Sequence, residues 1–215
     1  MDNTNYAQRI LEDLVEFTGK PKELVAERCK VAAVELAWEW DKRRNTLQYY
    51  RDTDLYIFDL TFYQAMLVQD LNFMLESAKE KEIKKILDFG GGIGEYTIRA
   101  IKELGAEVTY LEIADSQTLE YAKWRFKKHG VEPKIVDEKY PWQKEKWDAI
   151  FAMDVLEHLE DPEPTIKAFE ETAKYIFSNP NAIQFNWLYP QHISKFVLAN
   201  FTEKGLNLYQ NNKSA

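Results

Sequence analysis

The run ILDFGGGIGEYT, Ile86 to Thr97, decides the fold: a short apolar strand ends in an acid, and a glycine-rich turn then opens a helix. Glycines in such a turn let the backbone come close to a ligand, and the helix N-terminus presents unpaired N–H groups. Many nucleotide-binding folds carry a loop of this kind, so its details must choose among ligands. A dinucleotide fingerprint starting at Gly90 requires glycine at position 95, where Glu95 stands, and the Gly-Lys-Ser/Thr ending of a phosphate-binding P-loop is absent. Both details argue against NAD, ATP and GTP.

Downstream of this run, short apolar stretches alternate with amphipathic ones, the pattern of βα units around a parallel sheet. Strands are predicted at Ile83–Phe89, Glu107–Glu112, Lys134–Val136, Trp147–Met153, Ala182–Trp187 and Leu206–Tyr209. Helices are predicted at Glu95–Leu104, Ser116–His129, Glu163–Phe177 and about His192–Lys204. Upstream, Ile10, Leu11, Leu14 and Val15, then Leu24, Val25, Val31, Val34 and Leu36, recur at helical spacing. Gly19 fits the end of a first helix and Pro21 the start of a second, while Asn45 and Thr46 precede a third. A long helix is expected from about Asp59 to Lys81. The fold class is therefore α/β, a doubly wound, Rossmann-like, mostly parallel sheet over residues 82–215 with a helical N-terminal lid over residues 1–81.

The run resembles motif I of class I S-adenosylmethionine-dependent methyltransferases, acid-x-Gly-x-Gly-x-Gly, through Asp88, Gly90, Gly92 and Gly94. A second acid is expected to close the next strand, and VTYLEIAD supplies Glu112. The stretch WDAIFAMDVLEHLEDP, Trp147 to Pro162, is similar to the fourth-strand segment of the ubiquinone-type small-molecule methyltransferases. The resemblance covers Ile83 to Phe177 and implies S-adenosylmethionine as cofactor. It implies that Asp88 helps hold the methionine amino group and that Glu112 accepts from both ribose hydroxyls. Met153 and Asp154, which close the fourth strand, join the expected cofactor site, and Asp137 after the third strand is a candidate for the adenine amino group. The plain alternative for these residues is a structural turn in an unrelated α/β protein.

His158 and His192 are the candidate general bases. Asp154, Glu157 and His158 have the donor types that suit a divalent ion. The expectation is nevertheless that no metal is held and that Glu157 and His158 order their loop. His129 reads as an exposed helix C-terminal residue, and Cys29 as a small core residue. Tyr49, Tyr50 and Tyr63 can cover the cofactor or line the acceptor pocket. Of Trp38 and Trp40, two apart on one helix, one should be exposed. Only 28 residues follow the expected fifth strand, Leu188 to Ala215, which is short for the helix and β-hairpin that complete this fold, so either a missing strand or a truncated chain is expected.

The chain has 215 residues, 45% of them hydrophobic, enough for one α/β domain with an extension. A net charge of −8 repels phosphate backbones, and no basic patch offsets it, so nucleic acid is not an expected partner. One cysteine precludes an intrachain disulfide and suits a reducing cytoplasm. Neither a signal peptide nor an apolar run of roughly 18 residues is present, so no membrane is expected. The expected partner is a small-molecule methyl acceptor, with a homodimer through the N-terminal helices as the alternative role of those helices. The rival readings are a cofactor-binding or assembly protein that has lost turnover, and a nicotinamide oxidoreductase.

Overall fold

The computed structural model describes residues 3–42, 45–179, 189–205 and 207–214. Five helices come first: α1 (Asn3–Thr18), α2 (Lys22–Trp40), α3 (Thr46–Asp52), α4 (Tyr56–Met66) and α5 (Val68–Glu80). In α1, Tyr6, Ile10 and Leu14 fall four apart and are buried, the stripe that a helical period places on one face. Gly19, at positive φ, ends that helix by returning its N–H to the Val15 carbonyl at 3.0 Å. Asn45 caps α3 by accepting the Gln48 N–H at 2.7 Å.

Seven strands follow: β1 (Lys85–Phe89), β2 (Glu107–Leu111), β3 (Lys134–Val136), β4 (Trp147–Ala152), β5 (Ala173–Ser178), β6 (Phe201–Gly205) and β7 (Leu208–Asn211). They form one sheet in the order β3-β2-β1-β4-β5-β7-β6. The first five run parallel, and β7 is antiparallel to both of its neighbours. The crossovers carry α6 (Glu95–Arg99), continued by a π-helical turn at Ala100–Leu104, then α7 (Gln117–His129) and α8 (Glu163–Thr172). Strand order reverses between β1 and β4, and such a switch point opens a crevice at the strand C-termini.

The N-terminal helices share the core of the sheet. Ile10, Leu14, Leu71 and Met74 pack in one cluster with Ile86, Val108, Phe151 and Phe177. On the other face, Leu87, Ile150 and Ile176 pack with Ile166 and Phe169 of α8. Cys29 and Trp40 are buried, and Trp38 is 71% exposed. No helix among the described residues is long and apolar enough to cross a membrane.

Four expectations are corrected here. The single helix from Asp59 to Lys81 is broken at Leu67, with no proline or glycine nearby to announce it. The break lets α4 pack on α1, α2 and α7 while α5 packs on the π-helical turn. The helix expected over Glu163–Phe177 ends at Thr172, and Ala173–Ser178 is instead β5, paired with β4 from Trp147↔Ala173 to Ala152↔Ser178. Tyr175 and Phe177 fill one face and Ile176 the other, so burial on both faces together with pairing to β4 and β7 overrides the helical reading. The expected strand Ala182–Trp187 lies outside the described residues. Over His192–Lys204 the described residues form no helix, and Phe201–Gly205 is β6, paired with β7. With β5 moved earlier, the sheet has room for β6 and β7, and no strand of the fold is missing from it.

Candidate active site

At the β1/β4 switch point a cavity of about 420 Å³ opens, floored by Asp88 to Gly92, Glu112 and Met153 to Val155. Its roof comes from α3 and α4 through Tyr50, Tyr56, Leu60, Tyr63 and Gln64. The glycine loop is bound to β2: the N–H groups of Gly90 and Gly91 donate to the Leu111 carbonyl at 2.9 and 3.1 Å. Tyr110 donates its hydroxyl to the Gly92 carbonyl. A Cβ on Gly91 would fall on the Tyr110 ring and 2.8 Å from Asp88 Oδ2, so only glycine fits there.

Glu112 accepts the Gly92 N–H at 2.8 Å on one oxygen and the Ile113 N–H at 2.9 Å on the other. Each oxygen keeps a lone pair, as two ribose hydroxyls require. Asp88 accepts the Thr97 hydroxyl at 2.6 Å. Burial raises the Asp88 pKa to about 7, against the lowering effect of Thr97. Burial likewise raises that of Glu112, against its two backbone bonds. No lysine or arginine lines the cavity among the described residues. Buried carboxyls without a lysine or arginine among the described lining residues favour a cationic occupant and disfavour a phosphate.

Beyond Asp154 the cavity meets a recess of about 30 Å³ lined by Asp59, Tyr63, Tyr189, Gln191 and His192. Asp154 sits at positive φ, held there because its N–H donates to Asn179 Oδ1 at 2.9 Å while the Asn179 amide donates back. The Tyr63 hydroxyl reaches the same carboxyl. Burial raises the Asp154 pKa, and burial together with the Asp154 charge raises that of Glu157 to about 8. His158 is buried, which lowers its pKa to about 3 and keeps the ring neutral. Its ring centroid lies 4.8 Å from that of His192, edge to face.

A family of methyltransferase domains matches residues 60–197, more than half of the chain. The chain belongs to that family. S-adenosylmethionine is its cofactor, and a cavity of acids and aromatics around a glycine loop fits a sulfonium and an ammonium. The methyltransferase domain of bacterial CtHen1-C is 22% identical at a TM-score of 0.42, over 51% of this chain and 63% of that one. The N-terminal domain of EvdMO1 with SAH bound is 23% identical at a TM-score of 0.46, over 56% and 52%. An S-adenosylmethionine-dependent methyltransferase from Clostridium acetobutylicum ATCC 824 is 17% identical at a TM-score of 0.43, over 50% and 48%. This chain thus spans about half to just under two thirds of the length of those structures. No curated protein matches it.

Of the residues singled out in the sequence of this methyltransferase-family chain, Asp88, Gly90, Gly92, Glu112, Met153, Asp154 and His158 line the large cavity, and His192 lines the recess. Gly94 does not: a Cβ there would lie 2.5 Å from Phe126, so this glycine serves the packing of α7 against the loop. Asp137 is not a lining residue either, since its carboxylate turns back to accept the Lys139 N–H at 3.0 Å. Glu138, the next residue, lines the cavity, accepts the Ala114 N–H at 2.9 Å and pairs with Arg51. Sequence reasoning placed the acid after β3 one position early because the turn, not the strand, sets which side chain faces inward. Glu95, which follows the glycine loop, is not a lining residue. It is fully buried against Arg125 and Arg9, facing away from the cavity. His129 is not exposed but binds Asp13 at 2.7 Å. Of the tyrosines, Tyr50 and Tyr63 line the cavity, while Tyr49 is core and donates to the Leu36 carbonyl.

Proposed function

We propose that this methyltransferase transfers its methyl group to a small-molecule acceptor bound at the Asp154 end of the cavity. The observation that supports this is the lining: Tyr50, Tyr56 and Tyr63 partly cover the cofactor cavity, and Tyr63, Tyr189 and His192 line the narrow recess that adjoins it. Such a site takes a molecule that fits inside and excludes water around it. The net charge of −8 works against a nucleic-acid acceptor. In this reading residues 1–81 form the lid and residues 82–215 the cofactor-binding core.

When bound, S-adenosylmethionine supplies an activated sulfonium methyl. The chain's own work is then alignment and exclusion of water. Asp88 offers its carboxylate to the amino group, and Glu112 offers one free lone pair on each oxygen to the ribose diol. Ile113 and Glu138 line the end of the cavity beyond Glu112, which suits the adenine that follows the ribose. His158 and His192 border the acceptor end.

Calorimetry with S-adenosylhomocysteine and with NAD tests the cofactor site: tight binding of the first alone is expected. Methyl release on a panel of metabolites, with total RNA and mixed peptides as controls, tests the acceptor. Transfer to RNA or peptide with none to any metabolite would overturn the small-molecule reading.

A further inference from the structure

Asp59 is 8% exposed and lines the narrow recess that adjoins the cavity, with Tyr63, Asp154 and Gln191. Helix α4 presents it there, because Tyr56, Asp59 and Tyr63 fall three and four positions apart on one face. Buried acids are ordinarily paired. Asp154 is paired, since it accepts from the Asn179 amide and the Tyr63 hydroxyl. Asp59 has no such partner. Burial and the Asp154 charge both raise its pKa, to about 6, and among the described residues no hydrogen-bond donor, lysine or arginine offsets them. At neutral pH the group is still mostly ionised, so the recess holds a charge without a counter-charge.

A second acceptor stands at the same place. Gln191, 2% exposed, keeps a side-chain oxygen with no hydrogen-bond partner. Its backbone carbonyl accepts from His158 Nδ1 at 3.2 Å, so the main chain holds the residue there and the side-chain oxygen is spare. Asp59, Asp154 and Gln191 thus surround a space of about 30 Å³, room for one small polar group. A buried acceptor is satisfied by a donor, and a carboxylate best by a cationic one. A protonated amine carries one positive charge and three N–H donors, one for each of the three acceptors. A hydroxyl brings one donor and no charge, and a carboxylate or phosphate would be repelled.

We propose that the recess is an ammonium subsite anchored by Asp59, and that the methyl acceptor is a small molecule carrying a protonated primary amine. This rests on the small-molecule reading above and names the class of acceptor. The amine is the handle and not the atom methylated, because a protonated nitrogen has no lone pair with which to attack the sulfonium methyl. The atom methylated belongs to the rest of the molecule, which lies in the cavity while the amine occupies the recess. A few fixed polar groups at one end of a pocket orient a ligand in this way.

The test uses the full chain saturated with S-adenosylhomocysteine, so that the cofactor's own ammonium site is filled. Ethylammonium, tyramine and putrescine are compared with the uncharged ethanol, ethylphenol and butanediol at pH 8, by ligand-observed NMR and calorimetry. At least one pair is expected to show a tenfold or greater preference for the amine. Asp59→Asn keeps the shape of the side chain and removes its charge, so it should cut that preference at least tenfold and leave S-adenosylhomocysteine affinity unchanged. The melting temperature of the empty variant should hold or rise, since a buried charge without a partner is removed, whereas an acid with a structural partner would give a fall. No preference for any amine, a preference that survives the substitution, or a fall in melting temperature overturns the subsite. Methylation of metabolites without regard to an amine would defeat the ammonium subsite alone, and transfer only to RNA or peptide would defeat the small-molecule reading with it.

Discussion

Glu112 Oε2 lies 2.8 Å from the backbone nitrogen of Gly92, so the acid that closes β2 also holds the loop that closes β1. One side chain thereby positions two walls of the cofactor cavity. Glu112→Gln replaces one charged acceptor with an amide donor and should weaken S-adenosylhomocysteine binding by about 1.5 to 3 kcal/mol, the range for charge-assisted bonds. Glu112→Ala should cost more, because Gly92 also loses its anchor. Calorimetry on the two folded variants checks both values, and unchanged affinity in either would move the ribose elsewhere.

Gly91→Ala places a methyl group on the Tyr110 ring and beside Asp88, neither of which can retreat from the packed sheet. Overpacking of this kind costs about 1 to 3 kcal/mol of stability, and S-adenosylhomocysteine binding should be lost. Gly92→Ala meets only the end of Leu60 at 3.0 Å and mainly pays for its positive φ, about 1 kcal/mol. Thermal melts and calorimetry on the pair should rank Gly91 as the less tolerant. The reverse ranking would mean that the loop has a different path.

The pH dependence follows from burial of Asp88. Its pKa is about 7 in the folded chain, against about 3.9 unfolded, so the folded state binds a proton that the unfolded state releases between those values. This group's contribution to stability is therefore full below about pH 4 and is lost as pH rises to 7. Cofactor binding has the opposite trend, because only the ionised carboxylate attracts an ammonium. Affinity for S-adenosylhomocysteine should rise from pH 6 to pH 8, and Asp88→Asn should reduce that slope and stabilise the empty protein at pH 8. A variant with the wild-type slope would exclude Asp88 as the ammonium partner.

Asp13 of α1 binds Arg125 of α7 at 3.0 Å in a fully buried ion pair, and Arg125 also binds Glu95. His129 and Lys128 hold the Asp13 pKa well below the usual carboxylate range, against the opposing effect of burial. Asp13→Asn leaves Arg125 short of a charge partner and should cost about 3 to 5 kcal/mol. The sign with pH is the reverse of that for Asp88: Asp13 contributes stability above about pH 4 and loses it as pH falls further. Thermal melts of wild type and variant between pH 3 and pH 7 should run parallel above about pH 4 and begin to draw together below it, and a gap that does not narrow there would contradict the pairing.

Removal of residues 1–58 should uncover Ile86, Val108 and Phe151 on the sheet, all of which pack with the N-terminal helices. The expected product aggregates and does not bind S-adenosylhomocysteine. A soluble truncated chain with full affinity would refute the lid.

By itself the sequence determined the parallel βα pattern, the switch-point loop and the acids Asp88 and Glu112. Each of these is a local rule, since a glycine turn, a strand-terminal acid and an apolar period are set by residues a few positions apart. It also placed helix ends at Gly19 and Asn45, where backbone geometry and capping chemistry act within one turn. Only the tertiary structure decided whether Ala173–Ser178 was helix or strand, because that segment satisfies both periods and pairing with β4 and β7 chooses between them. The same holds for the break at Leu67, which no local residue announces. Which acid after β3 faces inward, where Glu95 points, and the meeting of Glu157 with His192 were likewise settled by packing. Those relationships join residues as far apart as Arg51 and Glu138, 87 positions, and physical neighbourhood at that separation exists only once the core has closed.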